Sequence, residues 1–340
     1  MHPIPVRRDI TAAAFHEEVR PAAEPLVLKG LVPDWPVVRA AREGGGAACI
    51  GLLRGLASSK PVQHVCAPPE AEGRLHYDDG LRGPNFERGE APLANFLDSL
   101  LAEAAEARPR ALAVQGVTAA DHLPGFAEAH PLPLLPATIA PRLWIGNAAK
   151  VAIHHDPTEN VACVAAGRRR FTLFPPDQVA NLYMGPFHLT PAGTQVSMVH
   201  ATAPDPVRFP RFAAALEHAR TAELEPGDAL YIPYQWYHHV EALDPVSVLV
   251  NYWWDPARRD IGSAWDALLH GMMTLRNLPP DQRRAWRAMF DRYVFLEDGD
   301  PAEHLPAHAR GILGATAPND VAQMRRALIA KLRREAGGEP

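Results

Sequence analysis

The chain has 340 residues, 47% of them hydrophobic, which is enough for a sizeable core in one large domain or two smaller ones. Its 34 basic and 39 acidic residues leave a formal net charge of -5, so no basic excess draws it onto nucleic acid or an anionic membrane surface. The three cysteines, Cys49, Cys66 and Cys163, are odd in number and include no close pair, which argues against a disulfide framework and a thiolate zinc clamp.

Met1 to Ile10 carries Arg7 and Arg8 but no apolar run that could serve as a signal segment. Nowhere do ~18 apolar residues follow one another. The expectation is a soluble, cytoplasmic protein without a membrane partner. Residues 1–110 mix short helical patterns with Pro- and Gly-rich turns and read as an N-terminal α/β extension packed on the core. Within it, Pro25–Gly30 reads as a short buried strand. His76-Tyr77-Asp78, in a polar segment, reads as a turn or surface feature. Pro92–Ala107 reads as a helix with Leu93, Phe96, Leu97, Leu100 and Leu101 along one face.

From 111 to 255 the pattern changes to short β runs between turns: Ala111–Val117, Pro141–Ile145, Lys150–His155, Asn160–Val164, Arg170–Phe174, Ala229–Ile232 and Val246–Trp254. Many short strands at this spacing predict a mainly β domain, a sandwich or barrel with the jelly roll among the options. Met184 to Ala222 is a long Pro-rich interruption, and such loops often cover binding sites. From 256 to 340 the pattern is helical. Ile261, Trp265, Leu268, Leu269, Met272 and Met273 make one stripe. Pro279-Pro280-Asp281 opens a second helix bearing Trp286, Met289, Phe290, Tyr293 and Val294. Asn319 or Asp320 is expected to cap a third, with Val321, Met324, Leu328 and Leu332 inward. The stripes suit packing on the barrel or a dimer face equally well.

The most informative stretch is Ile153-His154-His155-Asp156-Pro157. Side chains at i and i+2 of a strand share a face, so His154 and Asp156 would converge while His155 points away. A third ligand would come from Trp236-Tyr237-His238-His239, and spacing alone does not choose between the two histidines. Two imidazoles and one carboxylate on one face of a metal leave its other positions open, as non-haem Fe(II) enzymes require.

At this point the sequence resembles a known family. The run Leu143-Trp144-Ile145-Gly146, His154-His155-Asp156, Asn160, Gly167–Pro176, Leu182-Tyr183, Pro226-Gly227-Asp228, Ile232-Pro233, Trp236–Val240 and Val250–Trp253 is similar, in order and spacing, to the JmjC-type branch of the cupins, often called cupin-like. That family includes the asparaginyl hydroxylase acting on hypoxia-inducible factor. The resemblance implies a double-stranded β-helix core over 111–255 and selects His238 as the distal ligand. It implies Fe(II) at His154, Asp156 and His238, with 2-oxoglutarate as co-substrate. Decarboxylation of that acid to succinate would drive hydroxylation of a substrate C–H bond, or demethylation where the carbon sits on nitrogen. The substrate would be a protein, a peptide or a small molecule. The C-terminal helices would make a homodimer. Asn160 and Asn251 match amide positions near the co-substrate.

Three positions depart from the family. The lysine with which the family usually anchors the far carboxylate is matched by Arg169, and the asparaginyl hydroxylase's threonine, three residues before the first histidine, and strand tyrosine are matched by Val151 and Ala113. In one reading the larger guanidinium fills the vacated space and binds the carboxylate bidentately. In the other the pocket serves a different acid, or none. Two functions therefore stay open: an oxygenase, and a metal-binding cupin module that recognises a ligand without turnover.

Overall fold

The turn-punctuated β runs become strands in a computed structural model that describes residues 1–337 apart from 148, 192, 258, 259, 315 and 316. In chain order they are β1 (His2–Pro3), β2 (Val6–Arg7), β3 (Leu26–Leu28), β4 (Pro61–Ala67), β5 (Arg74–Leu75), β6 (Glu87–Pro92), β7 (Ala111–Thr118), β8 (Pro141–Gly146), β9 (Lys150–His154), β10 (Glu159–Ala166), β11 (Arg169–Phe174), β12 (Arg220–Leu224), β13 (Ala229–Ile232), β14 (Tyr237–Ala242) and β15 (Ser247–Trp254). Among the described residues they form two sheets. The smaller runs β1-β12-β11-β14-β9-β5, and the larger β2-β3-β13-β10-β15-β8-β7-β4-β6. Strands β8, β10, β13 and β15 lie in the larger sheet and β9, β11, β12 and β14 in the smaller. That is the jelly-roll arrangement of a double-stranded β-helix.

Strand β10 shows why the core sits where it does. All eight of its residues are buried, as befits a central strand covered on both faces. The small side chains on one of its faces, Cys163, Ala165 and Ala166, admit the helix Pro36–Leu56, which packs against it. That helix was not evident in the sequence. Gly44-Gly45-Gly46 reads as a turn, and Gly45 indeed takes a non-helical φ of 71° inside it. The helix Leu93–Ala104 buries Leu93, Phe96, Leu97 and Leu100, the expected face.

The interruption at 184–222 is more structured than expected. It contains the helix Phe212–His218 and the start of β12, and Val196 bridges to His154 beside β9. His76 and Tyr77 also correct the sequence reading. Asp78 does make a turn, accepting from the Arg82 amide. His76 and Tyr77 are buried, however, at 6% and 4% exposure, because the His76 ring reaches the carbonyl of Ser197.

The chain divides into two compact units, Met1–Asp255 and Pro256–Pro340, so residues 1–110 share a unit with the β core. The second unit contains the helices Ala264–Leu275, Pro280–Tyr293 and Pro318–Ala336. The third begins at Pro318 with Ala317 at its cap, not at Asn319 or Asp320. Proline is favoured in the first turn because its missing N–H has no partner there in any case. Met324 and Leu328, expected inward, are exposed, as are Trp286, Met289 and Tyr293. No helix among the described residues is long and apolar enough to cross a membrane.

Candidate metal centre

Strands β14 and β9 pair antiparallel with His238 directly opposite His154. Directly opposed residues project to the same face, and the two ring centroids lie 4.2 Å apart. Strand β9 ends at His154, short of Asp156. Pro157 disfavours helical backbone at the residue before it, consistent with Asp156 reaching the same face as His154. Its Oδ2 stands 3.6 Å from His238 Nε2. One ligand atom from each of His154, Asp156 and His238 lies within 4.8 Å of the others, and among the described residues this is the cluster able to hold a metal ion.

The protonation pattern suits metal binding. His154 Nδ1 is 2.8 Å from the carbonyl of Ala152, and His238 Nδ1 is 3.0 Å from that of Trp236. A carbonyl can only accept, so each Nδ1 carries the hydrogen and a neutral ring offers its Nε2 lone pair. Burial, reinforced by the nearby His154 ring, holds His238 well below the ordinary histidine range. Burial likewise raises the Asp156 carboxyl, against the opposing pull of His154 and His155. No Lys or Arg pairs with Asp156 among the described residues. Two neutral nitrogens and a carboxylate lacking a cation fit a divalent metal. His239 turns the other way, donating to the carbonyl of Val151 at 2.6 Å. His155 packs against Tyr237.

The triad opens on a cavity of about 240 Å³, also lined by Gln115, Arg142, Trp144, Asn160, Arg169, Asn251 and Trp253. Strand alternation splits the three consecutive arginines. Arg168 and Arg170 face outward, on Asp244 and Glu223. Arg169 is buried, and burial lowers its guanidinium to about 10, so it stays charged at neutral pH. Its Nε donates to Ser247 Oγ at 2.7 Å and Nη2 to the carbonyl of Trp144 at 3.4 Å. No carboxylate meets it among the described residues. A buried charge without a counter-ion is costly, and an anion in the cavity would offset that cost.

Asn251 Nδ2 donates to Asn160 Oδ1 at 2.9 Å, and Asn251 Oδ1 is buried with no partner. Both amides therefore line the cavity and bond each other. Trp253 lines it too, with its Nε1 unpartnered. Tyr183 does not; it packs against Phe209 and under Arg211. No residue of 184–222 lines the cavity among those described, because the returning segment runs beside β9 through Val196 instead.

Sequence reasoning missed Gln115 and Ser247. Gln115 is carried by an irregularity between Val114 and Val117 in the β7–β8 pairing, where Gly116 takes a φ of +74°. A glycine inside a strand pattern was an available signal for that bulge. Nothing local marks Ser247, whose neighbours are set by strand register.

The cupin-like domain family matches residues 12–260. Among curated proteins, the human HSPB1-associated protein 1 is 34% identical over 42% of this chain and 30% of its own length. The Arabidopsis thaliana lysine-specific demethylase JMJ31 is 34% identical over 33% of this chain and 20% of its own length. The Drosophila melanogaster Jumonji C domain-containing protein 5 is 31% identical over 35% of this chain and 29% of its own length. The chain thus spans under a third of the curated relatives it is similar to.

Proposed function

Because the chain belongs to the JmjC-type, cupin-like domain family, we propose that it is an Fe(II)- and 2-oxoglutarate-dependent oxygenase, a hydroxylase or demethylase. One observation carries this reading: a buried guanidinium without a carboxylate partner shares a cavity with a two-histidine, one-carboxylate cluster. His154, Asp156 and His238 would hold the iron. When bound, the iron supplies the redox chemistry with O2 that couples loss of CO2 from the 2-oxo acid to oxidation of a substrate carbon.

The chain's own residues have definite tasks. His154 and His238 present unprotonated Nε2 atoms because their Nδ1 hydrogens are held by backbone carbonyls. Asp156 supplies the one carboxylate oxygen. Arg169 receives the far carboxylate of the acid, and its fixed planar fork suits that group better than an ammonium would. Asn160 and Asn251 hold each other, leaving amide groups facing the same space. Trp144 and Trp253, with ring centroids 5.0 Å apart, supply aromatic walls.

For the substrate, the names of the relatives support a protein or peptide, with a small molecule as the other option. The cavity lining holds Arg142 and Arg169 but no carboxylate besides Asp156. That charge balance favours hydroxylation of a neutral or acidic group over demethylation of a cationic methyl-lysine. A second copy of this chain is the proposed partner of the C-terminal helices.

The alternative, a metal-binding cupin without turnover, draws support from Ala113 and Val151 standing where relatives place polar contacts. One assay separates the two. Protein loaded with Fe(II) in air is expected to form succinate from 2-oxoglutarate. His238→Ala should abolish this, and Arg169→Ala should raise the KM for 2-oxoglutarate by at least roughly tenfold, the loss of a charge-assisted contact. Absence of succinate from iron-loaded wild type would leave the binding module, and normal turnover in Arg169→Ala would remove that residue from the site. Ni, Co and Zn bind such ligands at least as tightly as Fe(II), so metal content is measured alongside.

A further inference from the structure

We propose that Ser247 is a positioning residue for Arg169, seated in a socket of small residues, and that it leaves the terminal N–H groups of the guanidinium for one carboxylate of the co-substrate. The proposal rests on the 2-oxo-acid reading above and asks what makes an arginine workable at that position.

Arg169 stands on β11, in the smaller sheet, and Ser247 on β15, in the larger. The arginine therefore crosses the space between the sheets. It arrives at a row of small residues. Ser247 pairs with Gly146 on β8, and Gly146 pairs with Ala113 on β7. Directly opposed residues face the same way, so this row offers only a hydroxymethyl, a hydrogen and a methyl. The row cannot be enlarged at its centre. A Cβ on Gly146 would lie 2.6 Å from the Leu112 carbonyl oxygen and 3.2 Å from Ala113 Cβ. Space for the guanidinium is thus built into three strands, and a residual cavity of about 30 Å³ between Ala113, Gly146, Val151 and Arg169 remains beside it.

Guanidinium has five N–H donors in a fixed plane. The Nε–H goes to Ser247 Oγ at 2.7 Å and one Nη2 hydrogen goes to the Trp144 carbonyl. Three remain on the terminal nitrogens. Ser247 is fully buried, so water does not replace it as acceptor. Without that hydroxyl the Nε–H is left unsatisfied, and a long, rotamer-rich side chain is free to turn another edge to the cavity. A lysine has no Nε–H to tether, which is why the serine matters for an arginine in particular.

The test measures binding and needs no turnover. Wild type and variants are loaded with Mn(II) without O2, and calorimetry compares 2-oxoglutarate with 2-oxopentanoate, a five-carbon 2-oxo acid lacking the far carboxylate. Wild type should prefer 2-oxoglutarate. Ser247→Ala should lose about tenfold for 2-oxoglutarate, the lower end expected for a hydrogen bond to a charged group, with 2-oxopentanoate unchanged within about twofold. Ser247→Thr, which keeps the hydroxyl, should restore the preference. Should Ser247→Ala not fold, Ser247→Cys keeps the size with a much weaker acceptor and is read the same way. An unchanged preference in the variant, or equal weakening for both acids, overturns the role of Ser247 while leaving the oxygenase reading intact. Wild type that binds neither acid, or both alike, overturns that reading and this one with it.

Discussion

Asp156 shows what a single residue contributes and what it costs. Its carboxyl is enclosed and meets no Lys or Arg among the described residues, so burial raises it against the weaker pull of His154 and His155. An acid whose folded-state value lies above its unfolded one loses stability as pH rises through the unfolded value, so at neutral pH this carboxyl costs the metal-free fold stability. Asp156→Asn keeps the shape and removes the charge. Metal-free Asp156→Asn should therefore unfold in urea at a midpoint equal to or above that of the metal-free wild type at pH 7, while binding no Fe(II). A lower midpoint with metal retained would mean the carboxylate serves the fold instead. At this scale much of the site was legible. The alternation of His154, His155 and Asp156 pointed two side chains one way. The choice of His238 over His239 needed either the family pattern or the pairing with His154. Ser247 was illegible because its contact with Arg169 joins residues 78 apart in the chain.

The helix Pro36–Leu56 illustrates how elements are fixed from a distance. Its first turn has unpaired amides, and Pro36 removes one of them. The amide of Val37 donates to His130 Nε2 at 3.3 Å, while His130 Nδ1 donates to the Phe126 carbonyl at 2.7 Å. Both bonds require a neutral ring, and burial lowers His130 below its ordinary value of 6.5. A histidine lowered in the folded state contributes stability that is fully present above the unfolded value and is lost as pH falls below it. The urea midpoint of wild type should therefore drop between pH 7.5 and 5.5. His130→Gln should lower the unfolding free energy at pH 7.5 by about 1 kcal/mol, the cost of a lost cap, and show a shallower pH dependence of the urea midpoint. An equally steep dependence in the variant would assign the titration to other histidines. Strands β3, β7, β8, β9, β10, β11, β13 and β15 were readable because turns and apolar runs are local signals, whereas β4, β6, β12 and the His238-bearing β14 were not read as strands. This helix was not readable either, since its cap comes from 93 residues away and three glycines interrupt its pattern.

For the whole molecule, the C-terminal unit carries the exposed apolar surface of its helices. Trp286 and Met289 are 45% and 49% exposed, and Phe295 63%. Large apolar side chains concentrated in one unit mark an association surface. A homodimer is expected, with a mass by light scattering twice the 37.1 kDa of the chain. Trp286→Glu combined with Met289→Glu should halve it without changing metal content. A monomeric wild type at micromolar concentration would overturn the homodimer. The helical stripes themselves were plain in the sequence, but an amphipathic pattern does not say what its apolar face meets.

The facing of His238 and His154 across two neighbouring strands has a consequence for how the barrel reaches its final alignment. A slip of one residue in that ladder turns every side chain of the strand to the opposite face, replacing His238 with His239 and dissolving the chelate. An ion that prefers the correct alignment adds its binding energy to that alignment alone. Loading with metal thus acts as a check on β-strand zippering, and the colour or spin signal of a bound Co(II) or Mn(II) becomes a readout of whether the two halves of the chain have met in step.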